Sequence, residues 1–159
     1  MAYEIWTKRS AETFSLGQAI GEVLEPGDII CLYGDLGTGK TVLTQGIGRG
    51  LGVKELIDSP TFTLINQYLG RIILYHLDLY RLEDSWELEQ LGWEEFLYGD
   101  GASVVEWAEK LENQLPANYL KISLEKVWPG TEEARRIRLE GIGEMGNKLL
   151  QRILVNQKG

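Results

Sequence analysis

The chain has 159 residues, 43% hydrophobic and 25% charged, enough for one domain with its own core and too few for two. Its 24 acidic and 16 basic residues leave a net charge of −8, which argues against unaided, non-specific affinity for nucleic acid. The single cysteine, Cys31, excludes an intrachain disulfide, and no apolar run approaches the roughly 18 residues that suggest a membrane span. The opening MAYEIWTKRS lacks the apolar core of a signal peptide, so the expectation is a cytoplasmic protein without a membrane partner.

Ser10 is placed to cap a helix from about Ala11, with Leu16, Ile20, Val23 and Leu24 on one face, and Pro26-Gly27 stops it. Asp28 to Tyr33 then reads as a buried strand, in which Cys31 is a small apolar residue rather than a reactive thiol. It runs into a glycine loop, and Thr41 to Leu51 follows as a helix with Gly52 at its C-terminal stop. Thr61 to Leu69 and Arg71 to Leu79, split by Gly70, read as a hairpin. Asp84 to Tyr98 reads as two short helices broken at Gly92, and Ser103 to Trp107 as a short strand. Tyr119 to Val127 and Ala134 to Leu139 flank the turn Trp128-Pro129-Gly130, and a last helix covers about Glu144 to Asn156. The expected fold is α/β over residues 1–159 as a single domain, mostly parallel around the glycine loop with antiparallel strands added.

Gly34 to Thr41, GDLGTGKT, fits G-x-x-x-x-G-K-[ST] in full. Background composition would place that pattern in on the order of one chain in a hundred of this length, and its position between a strand and a helix narrows the odds further. The chemistry follows from the residue types. Glycines let successive backbone N–H groups of Gly37, Thr38 and Gly39 converge on phosphate oxygens, and the helix N-terminus adds partial positive charge. Lys40 would reach the β- and γ-phosphates, the Thr41 hydroxyl would ligate Mg²⁺, and Lys40 is expected to be solvated or to face the ligand. A P-loop enzyme also needs acids for the metal and the attacking water. Asp78 closes the run IILYHLD and Glu106 closes SVVE, and the carboxyl ends of strands are where α/β sheets hold ligands.

Other features have plainer readings. Ser59-Pro60-Thr61-Phe62 stands where P-loop proteins keep a γ-phosphate-sensing switch, but a Ser-Pro turn starting a strand explains it equally well. His76 reads as a satisfied structural residue. The aromatics Trp86, Trp93 and Phe96 read as core or partner surface, and the acidic run Glu83 to Glu95 as a solvated helical face able to dock a basic partner. Arg135, Arg136 and Arg138 look strand-borne rather than part of a lid.

Taken in order, GDLGTGKT, SPTFT, YHLDLYRL, LGWEEF and VVEWAEK resemble the TsaE (YjeE) family of bacterial P-loop ATPases of tRNA threonylcarbamoyladenosine biosynthesis. The likeness runs from the first helix to about Leu139. It implies an α/β ATPase in which Thr41 and Glu106 hold Mg²⁺, Asp78 is needed for activity, Thr61 sits in a switch-like segment and Trp107 lies beside the nucleotide. Lys40 and the loop residues Gly37, Thr38, Gly39 and Val42 would hold ATP; Ser10 would line the adenine side, and Arg135 is the one residue of the later hairpin given a role. The resemblance further implies ATP hydrolysis in an assembly with TsaB and TsaD, tRNA being contacted through that assembly. The alternatives are a small-molecule P-loop kinase and a nucleotide-gated binding module. GTP is disfavoured because no N-K-x-D motif is present.

Overall fold

The computed structural model describes residues 1–58 and 64–158. Its centre is a seven-stranded sheet in the order β1-β7-β6-β2-β5-β4-β3. The strands are β1 (Ala2–Thr7), β2 (Ile29–Tyr33), β3 (Ile65–Leu69), β4 (Ile73–Asp78), β5 (Ala102–Glu106), β6 (Tyr119–Lys126) and β7 (Arg135–Ile142). β6, β2, β5 and β4 run parallel, while β7 and β1 on one side and β3 on the other are antiparallel additions. The mixed sheet is the one expected from the sequence. β1 was not expected, although Tyr3, Ile5 and Trp6 are residues that suit an edge strand once β7 offers its ladder.

The unbroken apolar run of β2 has a direct cause: helices cover both faces of the sheet. Ile30 and Leu32 face a cluster built with α1 (Ser10–Val23), α2 (Lys40–Gly50) and α5 (Gly143–Lys158). Ile29 and Cys31 face a second cluster with α3 (Ser85–Leu91), α4 (Trp93–Leu97) and the 3₁₀ helix Ala108–Gln114. Cys31 is buried, and its thiol is pushed up to about 12 by desolvation, in keeping with a packing role. Trp93 is likewise core, so the acidic segment presents Trp86 alone of its two tryptophans to solvent.

α1 and α2 meet through glycines. A Cβ on Gly46 would stand 2.2 Å from the Phe14 carbonyl oxygen, and one on Gly17 2.4 Å from that of Leu43. The two backbones therefore touch, which fixes the N-terminus of α1 relative to that of α2. The Ser10 cap expected at α1 is not formed. Ser10 is the first helical residue, Arg9 is the N-cap without a side-chain bond, and the Ser10 N–H donates to the Glu133 carboxylate at 2.9 Å. An acid from the β6–β7 connection thus serves an orphan N–H that Ser10 cannot serve for itself.

Candidate functional site

The site lies at the carboxyl ends of β2, β4 and β5. The chain leaves β2 at Tyr33 and turns through Gly34 to Gly39 into α2; Gly37 (φ 79°) and Gly39 (φ 102°) take left-handed conformations that a side chain would disfavour. These positions bend the backbone into a concavity of N–H groups capped by the positive end of α2. Thr38 tightens it, its hydroxyl donating to the Asp35 carbonyl at 2.8 Å. Arg135 braces it from β7: Nε donates to the Thr38 carbonyl at 2.6 Å and Nη2 to that of Gly37 at 3.3 Å.

The opposite wall comes from two neighbouring strands. Asp78 and Glu106 are register partners across the parallel β4–β5 pair, so both carboxylates project from the same face at the same level. Glu106 is 3% exposed and pairs with His76 Nε2, itself fully buried. The Asp78 carboxyl is pushed above its ordinary range, chiefly by burial; the Glu106 charge adds to this, while the Tyr80 N–H, His76 and Lys40 oppose it. Trp107 follows Glu106 at φ 60°, ψ 43°, the only described non-glycine residue with positive φ. Such a conformation costs on the order of 1–3 kcal/mol and recurs at functional sites. Here it joins β5 to the 3₁₀ helix with the indole at the cleft, 5.0 Å from the Tyr80 ring.

Lys40 links the two walls. It was expected to be solvated or to face the ligand; it is buried and lines the cleft, with Nζ donating to the Gly34 carbonyl at 2.6 Å and lying 3.4 Å over the Trp107 ring. Burial pulls its ammonium below the usual lysine range, against the opposing pull of Glu106, Glu109, Asp78 and Asp35.

These walls enclose an open cleft of about 630 Å³. Of the sequence-derived candidates it brings together Ser10, Gly37, Gly39, Lys40, Thr41, Val42, Asp78, Glu106, Trp107 and Arg135. Thr38 is the exception: its side chain is buried and lies toward the neighbouring groove beside Ser123 and Lys126. Thr61 lies outside the described residues. Leu36, Tyr80 and Arg81 also line the cleft and were not foreseen. Nor was the part of His76, although its spacing of two from Asp78 puts both on one face of a strand.

Comparison with known proteins places this geometry. A model of the family described as "Threonylcarbamoyl adenosine biosynthesis protein TsaE" matches residues 7–137. The chain belongs to the TsaE family. Relatives named as TsaE, a tRNA threonylcarbamoyladenosine biosynthesis protein, include one from Bacillus subtilis that is 38% identical over 148 residues, covering 92% of this chain and 90% of that one. Another, from Treponema pallidum, is 39% identical over 127 residues, 80% of this chain and 94% of its own. The crystal structure of Bacillus subtilis YdiB superposes with a TM-score of 0.83 at 32% identity, over 99% of this chain and 97% of that one. The TsaE family takes part in tRNA threonylcarbamoyladenosine biosynthesis and implies nucleotide binding. Among the described residues, no helix is long and apolar enough to cross a membrane.

Proposed function

We propose that this TsaE-family chain is a Mg²⁺-dependent ATPase, a single catalytic domain acting with TsaB and TsaD in the modification of tRNA adenosine. The observation that carries this reading is the pairing of a P-loop concavity with two adjacent carboxylates, Asp78 and Glu106, in one cleft. The donor set suits magnesium: the Thr41 hydroxyl and the carboxylates are hard oxygen ligands, few enough to leave room for water and phosphate. Burial, with the Glu106 charge added, raises the Asp78 carboxyl, and a cation at this wall would relieve that penalty on its charged form.

In this reading Thr41 and Glu106 hold the ion, which when bound neutralises charge on the terminal phosphates. The N–H groups from Gly37 to Thr41 take the phosphate oxygens, and Lys40 exchanges the Gly34 carbonyl for the β- and γ-phosphates. Asp78 accepts a proton from, or orients, the attacking water. Ser10 and Trp107, at the rim, bound the nucleoside end.

Arg135 is committed to P-loop carbonyls, and this reading gives the transition-state charge to a group supplied by the partners. An arginine supplied by a partner is worth roughly 10³ to 10⁵ in rate. The expected outcome is slow phosphate release at saturating ATP by the isolated protein and marked stimulation by purified TsaB and TsaD. Equal rates, with complex formation verified, would indicate a free-standing enzyme. No turnover in either condition would indicate a nucleotide-gated binding module.

A further inference from the structure

His76 has an unusual position for a histidine with no surface. It lies two residues before Asp78 on β4, on the same face, and its register partner on β5 is Val104, two residues before Glu106. Val104 belongs to the cluster packed beneath α1 and α2, so the imidazole sits in the layer directly under the P-loop helix. The ring is fully buried. One nitrogen, Nε2, is paired with Glu106 Oε2, and the other, Nδ1, has no hydrogen-bond partner among the described residues.

These facts fix the ring's chemistry. With Nε2 against a carboxylate oxygen, Nε2–H is the donor to Glu106, and Nδ1 faces no partner among the described residues. Burying an unpaired nitrogen carries a cost that a leucine of similar size would avoid. A pure packing role leaves that cost unexplained. What imidazole supplies and leucine cannot is one directed hydrogen bond to a carboxylate that is itself 3% exposed.

We propose that His76 is the positioning residue for the Glu106 carboxylate: its Nε2–H holds Oε2 and thereby leaves Oε1 as the oxygen presented to the metal. The inference rests on the reading of Glu106 as a metal-holding group. Carboxylates that ligate metals are themselves oriented by hydrogen bonds, and losing such a partner typically lowers metal affinity or activity about 10- to 100-fold. β4 would then serve the site twice from one face, with Asp78 at the rim and His76 one pleat deeper behind Glu106.

The test compares His76→Leu, His76→Gln and His76→Asn. Gln carries an amide nitrogen near the place of Nε2, Asn carries one near the place of Nδ1, and Leu carries none. Titration calorimetry with ADP, in excess Mg²⁺ and again in EDTA, reads the metal-linked part of nucleotide affinity without any turnover; melting temperature is recorded alongside. We expect the ratio of the two affinities to fall by about 10-fold or more in the Leu and Asn variants. The Gln variant should keep most of the wild-type ratio, and affinity in EDTA should be nearly the same in all four proteins. A ratio unchanged in His76→Leu, or lost equally in Gln and Asn, would overturn the proposal. If His76→Leu does not fold, the Gln–Asn contrast decides alone. A wild-type protein whose ADP affinity ignores Mg²⁺ would instead defeat the metal reading of Glu106, and the proposal with it, on grounds that no His76 variant is needed to reveal.

Discussion

The two walls of the cleft are built in opposite ways. The glycine-loop wall is one continuous stretch, Gly34 to Val42, whose shape follows from local backbone chemistry: left-handed glycines, then the first turn of a helix. The carboxylate wall has no local existence. Asp78 and Glu106 stand 28 positions apart by subtraction of their numbers, and they become neighbours because β4 and β5 pair in parallel with those residues in register. A motif can announce the first wall; the second exists only once the sheet has formed. The difference is energetic as well. In the loop wall the carbonyls of Gly34, Gly37 and Thr38 are taken by Lys40 and Arg135, whereas the buried negative charge of the carboxylate wall is opposed, among the described residues, by His76, Lys40 and the Tyr80 N–H.

The largest effect should come from the residue that touches both walls. Lys40→Ala removes the ammonium that holds the Gly34 carbonyl and covers the Trp107 ring. Turnover should fall by about 10²- to 10³-fold, the loss seen when one donor to developing charge is removed, and ATP affinity should weaken. Circular dichroism should report a folded protein. Unchanged ATP affinity in that protein would break the assignment of the loop wall to phosphate.

The carboxylate wall should separate binding from chemistry. Glu106→Ala and Asp78→Ala should each lose turnover by about 10²-fold while still binding nucleotide, because a group that acts on transition-state charge is lost mainly from the barrier. Wild-type rates in both would make this wall structural. The same wall gives a pH signature. Burial and Glu106 raise the Asp78 carboxyl, so just above the ordinary aspartate range the folded chain keeps a proton that the unfolded chain has released. Stability contributed by this group therefore falls as pH rises through that interval, and the deficit persists at neutral pH. Asp78→Asn should melt higher than wild type in the nucleotide-free state, with a larger gap at neutral than at mildly acidic pH. An equal gap at both would remove the charge argument.

A smaller effect should follow from disturbing how the walls are anchored. Gly46→Ala forces a Cβ against the Phe14 carbonyl oxygen and should destabilise the fold by about 1–3 kcal/mol, read from denaturant midpoints. Since α1 carries Ser10 and α2 carries Thr41, nucleotide affinity should drop by more than the stability loss alone predicts, through misplacement of one rim against the other. A fully wild-type affinity would show that the helix contact supports only the core.

The amino-acid sequence by itself determined the glycine loop, the strands around it and the candidacy of Asp78 and Glu106, because these depend on backbone preferences and side-chain alternation over a few residues. Gly37, Gly39, Lys40 and Thr41 fell where the motif put them, and Gly92 broke the α3–α4 segment as its left-handed conformation requires. What only the tertiary structure decided were the relations between distant segments. Ser10 was expected to cap its own helix, but Glu133 reaches across from the β6–β7 connection to do it. Lys40 was expected to be solvated or to face the ligand; it lines the cleft, and the left-handed turn at Trp107 lays an indole beneath it. His76 looked structural until strand pairing placed it behind Glu106. In each case the deciding contact spans tens of residues, and its partner is set by sheet order and register, which short-range sequence patterns do not encode.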